Sequence, residues 1–383
     1  MESRPAEDVG EKVRAAALAE GFDFVRFAPA TPMLAARGAA NAALADGRLA
    51  DMAWMTSAWI ERSTDPERFL AGARSVVAVG MVYGRSPEQP PPGAGSRGRV
   101  AAYASGRDYH RVFEPRLRRL CRVLRDEFGA SARATVDYGP LLERPLAALA
   151  GMGWQGKSTM LLVPGAGPWV LLGMVATSLE LPADEPLRKS CGTCTRCMAA
   201  CPTGAISTGG GQVDARLCIS YHTIENRGVI PRELRAKFGA WIFGCDACLD
   251  SCPVGAQEAP AAAGDEAWPE LAPLLALDEA AFRTKYRGRA ITRAKRDGFL
   301  RNVCVALGNV GGEADIPALA RALGDTAPLV RGHAAWALGE IGRRLPSVRG
   351  KAIAAVQARL DVENDAWVRE ELALAPSPLT PLV

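Results

Sequence analysis

Eight cysteines between positions 191 and 252 restrict this chain more than any other feature of its sequence. The first group reads Cys191-Gly-Thr-Cys194-Thr-Arg-Cys197-Met-Ala-Ala-Cys201-Pro202. In this C-x2-C-x2-C-x3-C-P run, three thiolates hold one 4Fe-4S cluster and the fourth reaches across to a second. The second must therefore be completed elsewhere, and Cys218 with Cys245-Asp-Ala-Cys248-Leu-Asp-Ser-Cys252-Pro253 completes it. Exchanging the remote ligands predicts one cluster on Cys191, Cys194, Cys197 and Cys252, and another on Cys201, Cys218, Cys245 and Cys248. The second half is irregular, because a long insertion separates Cys218 from Cys245. Zinc explains paired C-x2-C motifs but not two x3-C-P endings. Disulfides suit secreted chains, and no apolar signal segment follows the charged first residues. Cys121 and Cys304 lie in apolar helical patterns and read as buried core thiols.

With 383 residues, 48% apolar and 23% charged, the chain has the composition of a water-soluble protein of two or three domains. The long uncharged run at 158–178 is broken by Pro164-Gly165-Ala166-Gly167-Pro168, so it reads as two strands and a turn, not a membrane helix. Residues 9–20 form an amphipathic helical pattern, residues 22–27 alternate as a strand, and residues 75–83 form a β-branched run that reads as a buried strand. A basic helix is expected over 112–128 and a strand over 133–137. The mixture is an α+β domain.

That last strand ends on Asp137, with Glu143 expected to open a helix and Glu143-Arg144 able to pair. A carboxylate where strand gives way to helix is a candidate acid, although a helix cap explains the same residue. The stretch Gly151-Met-Gly153-Trp154-Gln-Gly156-Lys157-Ser158 lacks phosphate-loop spacing and reads as a turn that lets backbone approach a large ligand. After a linker at 258–265 the sequence becomes helical and repeats itself. Ala306-Leu307-Gly308 recurs as Ala337-Leu338-Gly339, and Leu329-Val330-Arg331 as Trp367-Val368-Arg369, at offsets of 31 and 38 residues. This predicts short HEAT-like repeats. Eight positive charges precede and enter them: Arg283, Lys285, Arg287, Arg289, Arg293, Lys295, Arg296 and Arg301, with Tyr286 and Phe299 nearby. They read as a phosphate-binding footprint, with Arg293, Lys295, Arg296 and Arg301 as candidate RNA contacts, against the alternative of a solvated face paired with acids.

Taken together, Val136-Asp137, Pro140-Leu-Leu-Glu143-Arg144, the Gly153-Trp154-x-Gly156-Lys157 turn, the split cysteine pattern, Ser220-Tyr221-His222-Thr223-Ile224-Glu225 and Trp241-Ile-Phe-Gly244-Cys245-Asp246 resemble the epoxyqueuosine reductases. The resemblance implies an α+β chain with a nitroreductase-like, reductive-dehalogenase-like cobalamin domain at 1–180. A ferredoxin-like module with two 4Fe-4S clusters would follow at 181–260, and an all-α HEAT-like tRNA-binding domain at 261–383. It implies reduction of epoxyqueuosine to queuosine in a tRNA anticodon loop, electrons passing from the clusters to cobalamin. Asp137 would be the proton donor, with a pKa raised by burial or by the corrin's surroundings. Asp137, Arg62, Tyr103, Gly106, Arg107, Gly153, Trp154, Gly156, Lys157, Ser220 and Asp246 would line the corrin or substrate. The partners implied are the tRNA and a low-potential donor of flavodoxin or ferredoxin type, and the chain would be a cytoplasmic monomer without a membrane segment. It departs from the family at His222, where an apolar residue is common, and at Val254-Gly255, where Trp-Asn is common. The competing reading is a cobalamin-dependent, dehalogenase-like enzyme acting on a small molecule, which leaves the basic stretch and the repeats without a role. A non-enzymatic electron carrier leaves the N-terminal domain unexplained.

Overall fold

The computed structural model describes residues 6–93, 95–255 and 267–375, so the linker expected at 258–265 lies outside the described residues. The chain forms two compact units, each drawn from separate stretches: residues 1–85, 107–216 and 247–260 in one, and 86–106, 217–246 and 261–383 in the other.

The first unit is built on a four-stranded antiparallel sheet in the order β1-β2-β4-β3, from Phe24–Pro29 (β1), Ser75–Val82 (β2), Ala132–Thr135 (β3) and Val170–Thr177 (β4). Successive strand side chains point to opposite faces, and both faces of β2 are covered. Val77 and Val79 enter one core with Val13 and Ala17 of helix α1 (Ala6–Ala19) and Phe113, Leu117 and Leu120 of helix α2 (His110–Phe128). Val76 and Ala78 enter the other core with Leu146 and Ala147 of helix α3 (Glu143–Leu149). An uninterrupted apolar run is what a strand covered on both faces requires, and each valine so buried contributes about 1.5–3 kcal/mol. Gly129 ends α2 in the left-handed conformation at φ 64°. Two expectations shift. The strand expected over 133–137 stops at Thr135, leaving Asp137 in the bend that follows. The run 158–178 holds strands at Leu161–Leu162 and Val170–Thr177, but the first pairs with Trp154–Gln155 and the second joins the main sheet.

In the second unit, α4 (Ile219–Ile224) precedes the short parallel pairing of Trp241–Phe243 with Arg99–Val100. The C-terminal part is helical: α5 (Lys295–Val310), α6 (Ile316–Ala322), α7 (Pro328–Arg344), α8 (Arg349–Leu360) and α9 (Ala366–Leu374). Helix α7 packs on its neighbours α5, α6, α8 and α9. The repeated Ala-Leu-Gly marks the crossings: a Cβ on Gly308 would lie 2.4 Å from the Trp336 ring, and one on Gly339 would lie 2.6 Å from the Ala375 carbonyl. Tyr286 and Phe299 are not surface aromatics beside the basic stretch. They pack together in the core, 5.0 Å between ring centroids, with Phe282 against both.

Candidate active site

Cys121 and Cys304 are buried as core thiols. The short helices Arg196–Ala200 and Ala247–Asp250, each leading into a Cys-Pro step, pack against each other. Burial raises the Cys252 thiol above its ordinary pKa, opposed by the Val254 N–H and reinforced by the thiolates of Cys191, Cys197 and Cys194. Burial and the charges of Cys191 and Cys194 likewise raise Cys197, so Cys252 stands near Cys191, Cys194 and Cys197. No three His, Cys, Asp or Glu side chains among the described residues converge closely enough to grip one metal ion. A cubane is instead held by four thiolates. Burial works to raise Cys201 as well, yet hydrogen bonds from the Thr203 hydroxyl and the N–H groups of Ala205, Thr203 and Ile206 outweigh it and leave the thiol below its ordinary pKa. Those contacts favour its thiolate form.

Lys157 grips the same loop. Its Nζ donates to the Gly192 carbonyl at 2.8 Å and the Cys194 carbonyl at 3.0 Å, so its ammonium is committed to the cysteine segment. The hairpin that carries it also carries Trp154, whose buried Nε1 has no acceptor among the described residues.

Asp137 sits at φ 52°, in the left-handed region that Asp and Asn tolerate better than most residues. The bend closes tightly, since a Cβ on Gly139 would lie 1.4 Å from Thr135 Oγ1. Glu143 does not pair with Arg144 as its main contact. Its Oε1 accepts the Asp137 backbone N–H at 2.7 Å, while Arg144 donates to the Thr159 carbonyl. Burial pushes the Glu143 carboxyl up to about 8, with the Asp137 N–H drawing it down and the Asp137 carboxylate pushing it further up. The Asp137 side chain is 50% exposed. His110 Nε2 stands 3.5 Å from Asp137 Oδ2, and its Nδ1 lies 2.7 Å from Asp108 Oδ1. His110 was not among the residues expected at the site. The available signal was an Asp-Tyr-His run in a Gly-Arg turn, in a chain with only three histidines.

Arg62 is exposed on the helix Ser57–Ser63, and Arg107 is exposed in the turn before α2. In the second unit the buried Asp246 carboxylate accepts the Ala102 N–H at 2.7 Å, fixing the turn Ala102–Ala104 that carries Tyr103. Gly106 is exposed with open space where a Cβ would stand, and Ser220 is half-buried on α4. His222 is buried and contacts Asn226 at 2.9 Å.

The basic footprint is smaller than its charges imply. Arg301 is fully buried, donating to the carbonyls of His222, Asn226 and Gly228, so it cannot meet a phosphate at the surface. Its helical position faces the core, a fact that a count of charges does not carry. Burial lowers its pKa to about 9. Arg296 is paired with Asp325, at 2.9 Å through Nη1, and Arg293 with Glu225. Lys285, Arg287 and Lys295 remain exposed.

Three family profiles match the chain: "4Fe-4S double cluster binding domain" at 190–255, "Epoxyqueuosine reductase QueG, DUF1730" at 63–138, and "HEAT repeats" at 290–375. The epoxyqueuosine reductase of Xanthomonas campestris pv. campestris is 41% identical over 310 residues, covering 78% of this chain and 87% of that protein. This chain belongs to the epoxyqueuosine reductase family. Within the family, an epoxyqueuosine reductase solved with an epoxyqueuosine-modified tRNA-Tyr stem loop aligns with a TM-score of 0.87 and 28% identity, over 97% of this chain and 99% of that one. The Bacillus subtilis reductase solved with its catalytic aspartate loop swung out of the active site aligns at a TM-score of 0.86 and 28% identity, with the same coverage. The mixed α/β architecture, the double-cluster segment and the helical repeats are thus family features carried by this sequence.

Proposed function

We propose that this chain reduces epoxyqueuosine to queuosine in the anticodon loop of tRNA, with Asp137 protonating the leaving epoxide oxygen. The observation that carries the reading is membership of the reductase family, matched over 78% of the chain, combined with a set of eight cysteines in the double-cluster pattern. A relative was solved with an epoxyqueuosine-modified stem loop, and another with its catalytic aspartate loop swung out of the active site. Asp137, on its left-handed bend, would take the corresponding role here.

The ligands of the clusters would be Cys191, Cys194, Cys197 and Cys252, and Cys201, Cys218, Cys245 and Cys248. Trp154, with a buried Nε1 that has no acceptor among the described residues, fits a large cofactor edge such as that of cobalamin, and Gly106 is proposed with it as a cofactor residue. Arg62, Arg107, Tyr103, Gly153, Gly156, Ser220 and Asp246 would join them. Bound clusters and cobalamin supply the one-electron relay and the strongly reducing centre that no amino-acid side chain provides. The chain's own work is positional and protonic. Glu143 holds the Asp137 backbone, Lys157 holds the Cys191–Cys194 loop, and Asp246 holds the Tyr103 turn.

An unpaired base in an anticodon loop is reachable without opening a duplex. Lys285, Arg287, Lys295 and the paired Arg293 and Arg296 would face the RNA backbone beside the repeats. The N-terminal unit is proposed to share the nitroreductase-like ancestry of reductive dehalogenases. The enzyme would act as a cytoplasmic monomer fed by a flavodoxin or ferredoxin. No helix among the described residues is long and apolar enough to cross a membrane.

The test is mass spectrometry of tRNA nucleosides from a strain lacking the gene. Epoxyqueuosine should accumulate and disappear on restoring the wild-type chain. Normal queuosine in the deletion strain, with no other reductase present, would overturn the assignment.

A further inference from the structure

Reducing an epoxide to an alkene and water consumes two electrons and two protons, and a carboxyl group carries one proton at a time. If Asp137 protonates the leaving oxygen, something must stand behind it. The other two histidines are committed elsewhere: His222 is buried on Asn226, and His333 is fully buried between the Leu329 carbonyl and the Ile230 N–H. His110 is different. It opens α2, where the positive end of the helix dipole disfavours a cation. Two carboxylates reverse that preference. Asp108 Oδ1 accepts the His110 backbone N–H at 3.1 Å and lies 2.7 Å from Nδ1, while Nε2 points to Asp137 Oδ2 at 3.5 Å and has no hydrogen-bond partner of its own. The ring is stacked between Tyr109, at 4.2 Å and 28°, and Tyr138, at 5.2 Å and 27°. Tyr138 is itself anchored by donating to Glu114. The imidazole therefore has one orientation, with one nitrogen on a fixed carboxylate and the other on the proposed acid.

We propose that His110, oriented by Asp108, is the proton source that recharges Asp137. The inference rests on Asp137 being the donor. After Asp137 has given up its proton, the His110 Nε2–H bond breaks and an Asp137 Oδ2–H bond forms. The imidazole then takes a proton from solvent, and no electron moves in the step. Burial alone lowers the affinity of His110 for a proton, but the nearby Asp137 carboxylate and the hydrogen-bonded Asp108 carboxylate leave it raised. The groups facing the ring are Asp108, Asp137, Glu143, Tyr109 and Tyr138. His110 is a positioning and proton-supplying residue, since it touches the acid and not the substrate.

Two measurements on the full chain test this. In an imidazole NMR titration, the His110 pKa should stand above that of an ordinary histidine and fall in both Asp137→Asn and Asp108→Asn. An unchanged His110 pKa in Asp137→Asn overturns the coupling whatever the catalytic role of Asp137. In single-turnover assays of chemically reduced holoenzyme over about pH 6 to 9, His110→Ala should slow turnover roughly a hundredfold. It should also lose the wild-type decline at high pH, and added imidazole should restore activity, with tRNA affinity unchanged. Asp108→Asn should move the high-pH limb downward without abolishing turnover, which serves if His110→Ala folds poorly. Wild-type turnover in His110→Ala across that range, or a loss that imidazole does not rescue and that leaves the pH profile intact, overturns the proposal. If Asp137→Asn turns over at the wild-type rate, the donor assignment has failed. If Asp137→Asn is inactive and His110→Ala is not, only the present inference has failed.

Discussion

Asp137→Asn is the substitution on which the proposed chemistry depends most, and the structure fixes what it should and should not change. The residue sits at φ 52°, where Asn is as well tolerated as Asp, so the bend pays no conformational penalty. Glu143 grips the backbone N–H of residue 137 and not its side chain, so that tether survives. The side chain is half exposed and packs in no core, which keeps the stability change within about 0.5 kcal/mol. What is lost is a transferable proton. General-acid loss costs roughly 10²- to 10⁴-fold, or about 2.7–5.4 kcal/mol of barrier at 1.36 kcal/mol per factor of ten. Single-turnover conversion of epoxyqueuosine tRNA by chemically reduced enzyme is the appropriate assay, because steady-state rates can be set by electron delivery. Unfolding midpoint, iron content and tRNA affinity should match the wild type. A variant that converts substrate at the wild-type single-turnover rate would show that Asp137 is only a bend residue.

Cys201→Ser should remove the cluster completed by Cys218, Cys245 and Cys248 and leave the other, halving an iron content of about eight per chain; stoichiometric zinc after anaerobic reconstitution would refute the cluster assignment. Arg301→Met should destabilise the fold by roughly 3–5 kcal/mol in denaturant unfolding, because it strands three buried carbonyls. A folded, stable variant defective only in tRNA binding would reinstate Arg301 as an RNA contact. Replacing Lys285, Arg287 and Lys295 together with Ala should weaken tRNA binding and reduce the magnitude of its salt slope by roughly two, and equal affinity at several salt concentrations would exclude them. Glu143 binds its proton up to about pH 8 in the fold but only to an ordinary carboxylate value when unfolded. Between those limits the folded state holds more protons, so its contribution to stability falls as pH rises. Glu143→Gln should flatten that dependence in unfolding measurements across the range, and an unchanged profile would count against the raised carboxyl.

Much of this was legible in the sequence because it was local. Cysteine spacing encodes a ligand set, since short intervals limit which thiolates can share a cluster. The β-branched run of β2 states that both its faces are buried, and Ala-Leu-Gly repeated at helix-pair spacing states where helices cross. Glu143 was legible as a helix start for the same reason. The rest depended on contacts between residues far apart in sequence. Whether Arg301 faces solvent or core follows from what α5 packs against, and the carbonyls of 222, 226 and 228 decided it. Arg296 and Arg293 lost their freedom to Asp325 and Glu225, partners that no local window contains. Asp137 and His110 stand 27 positions apart, and only the return of the chain along β3 into the bend brings the imidazole to the carboxylate. Composition and spacing determine which groups the chain owns. Tertiary packing decides which face water, which neutralise one another, and which are left to handle a proton.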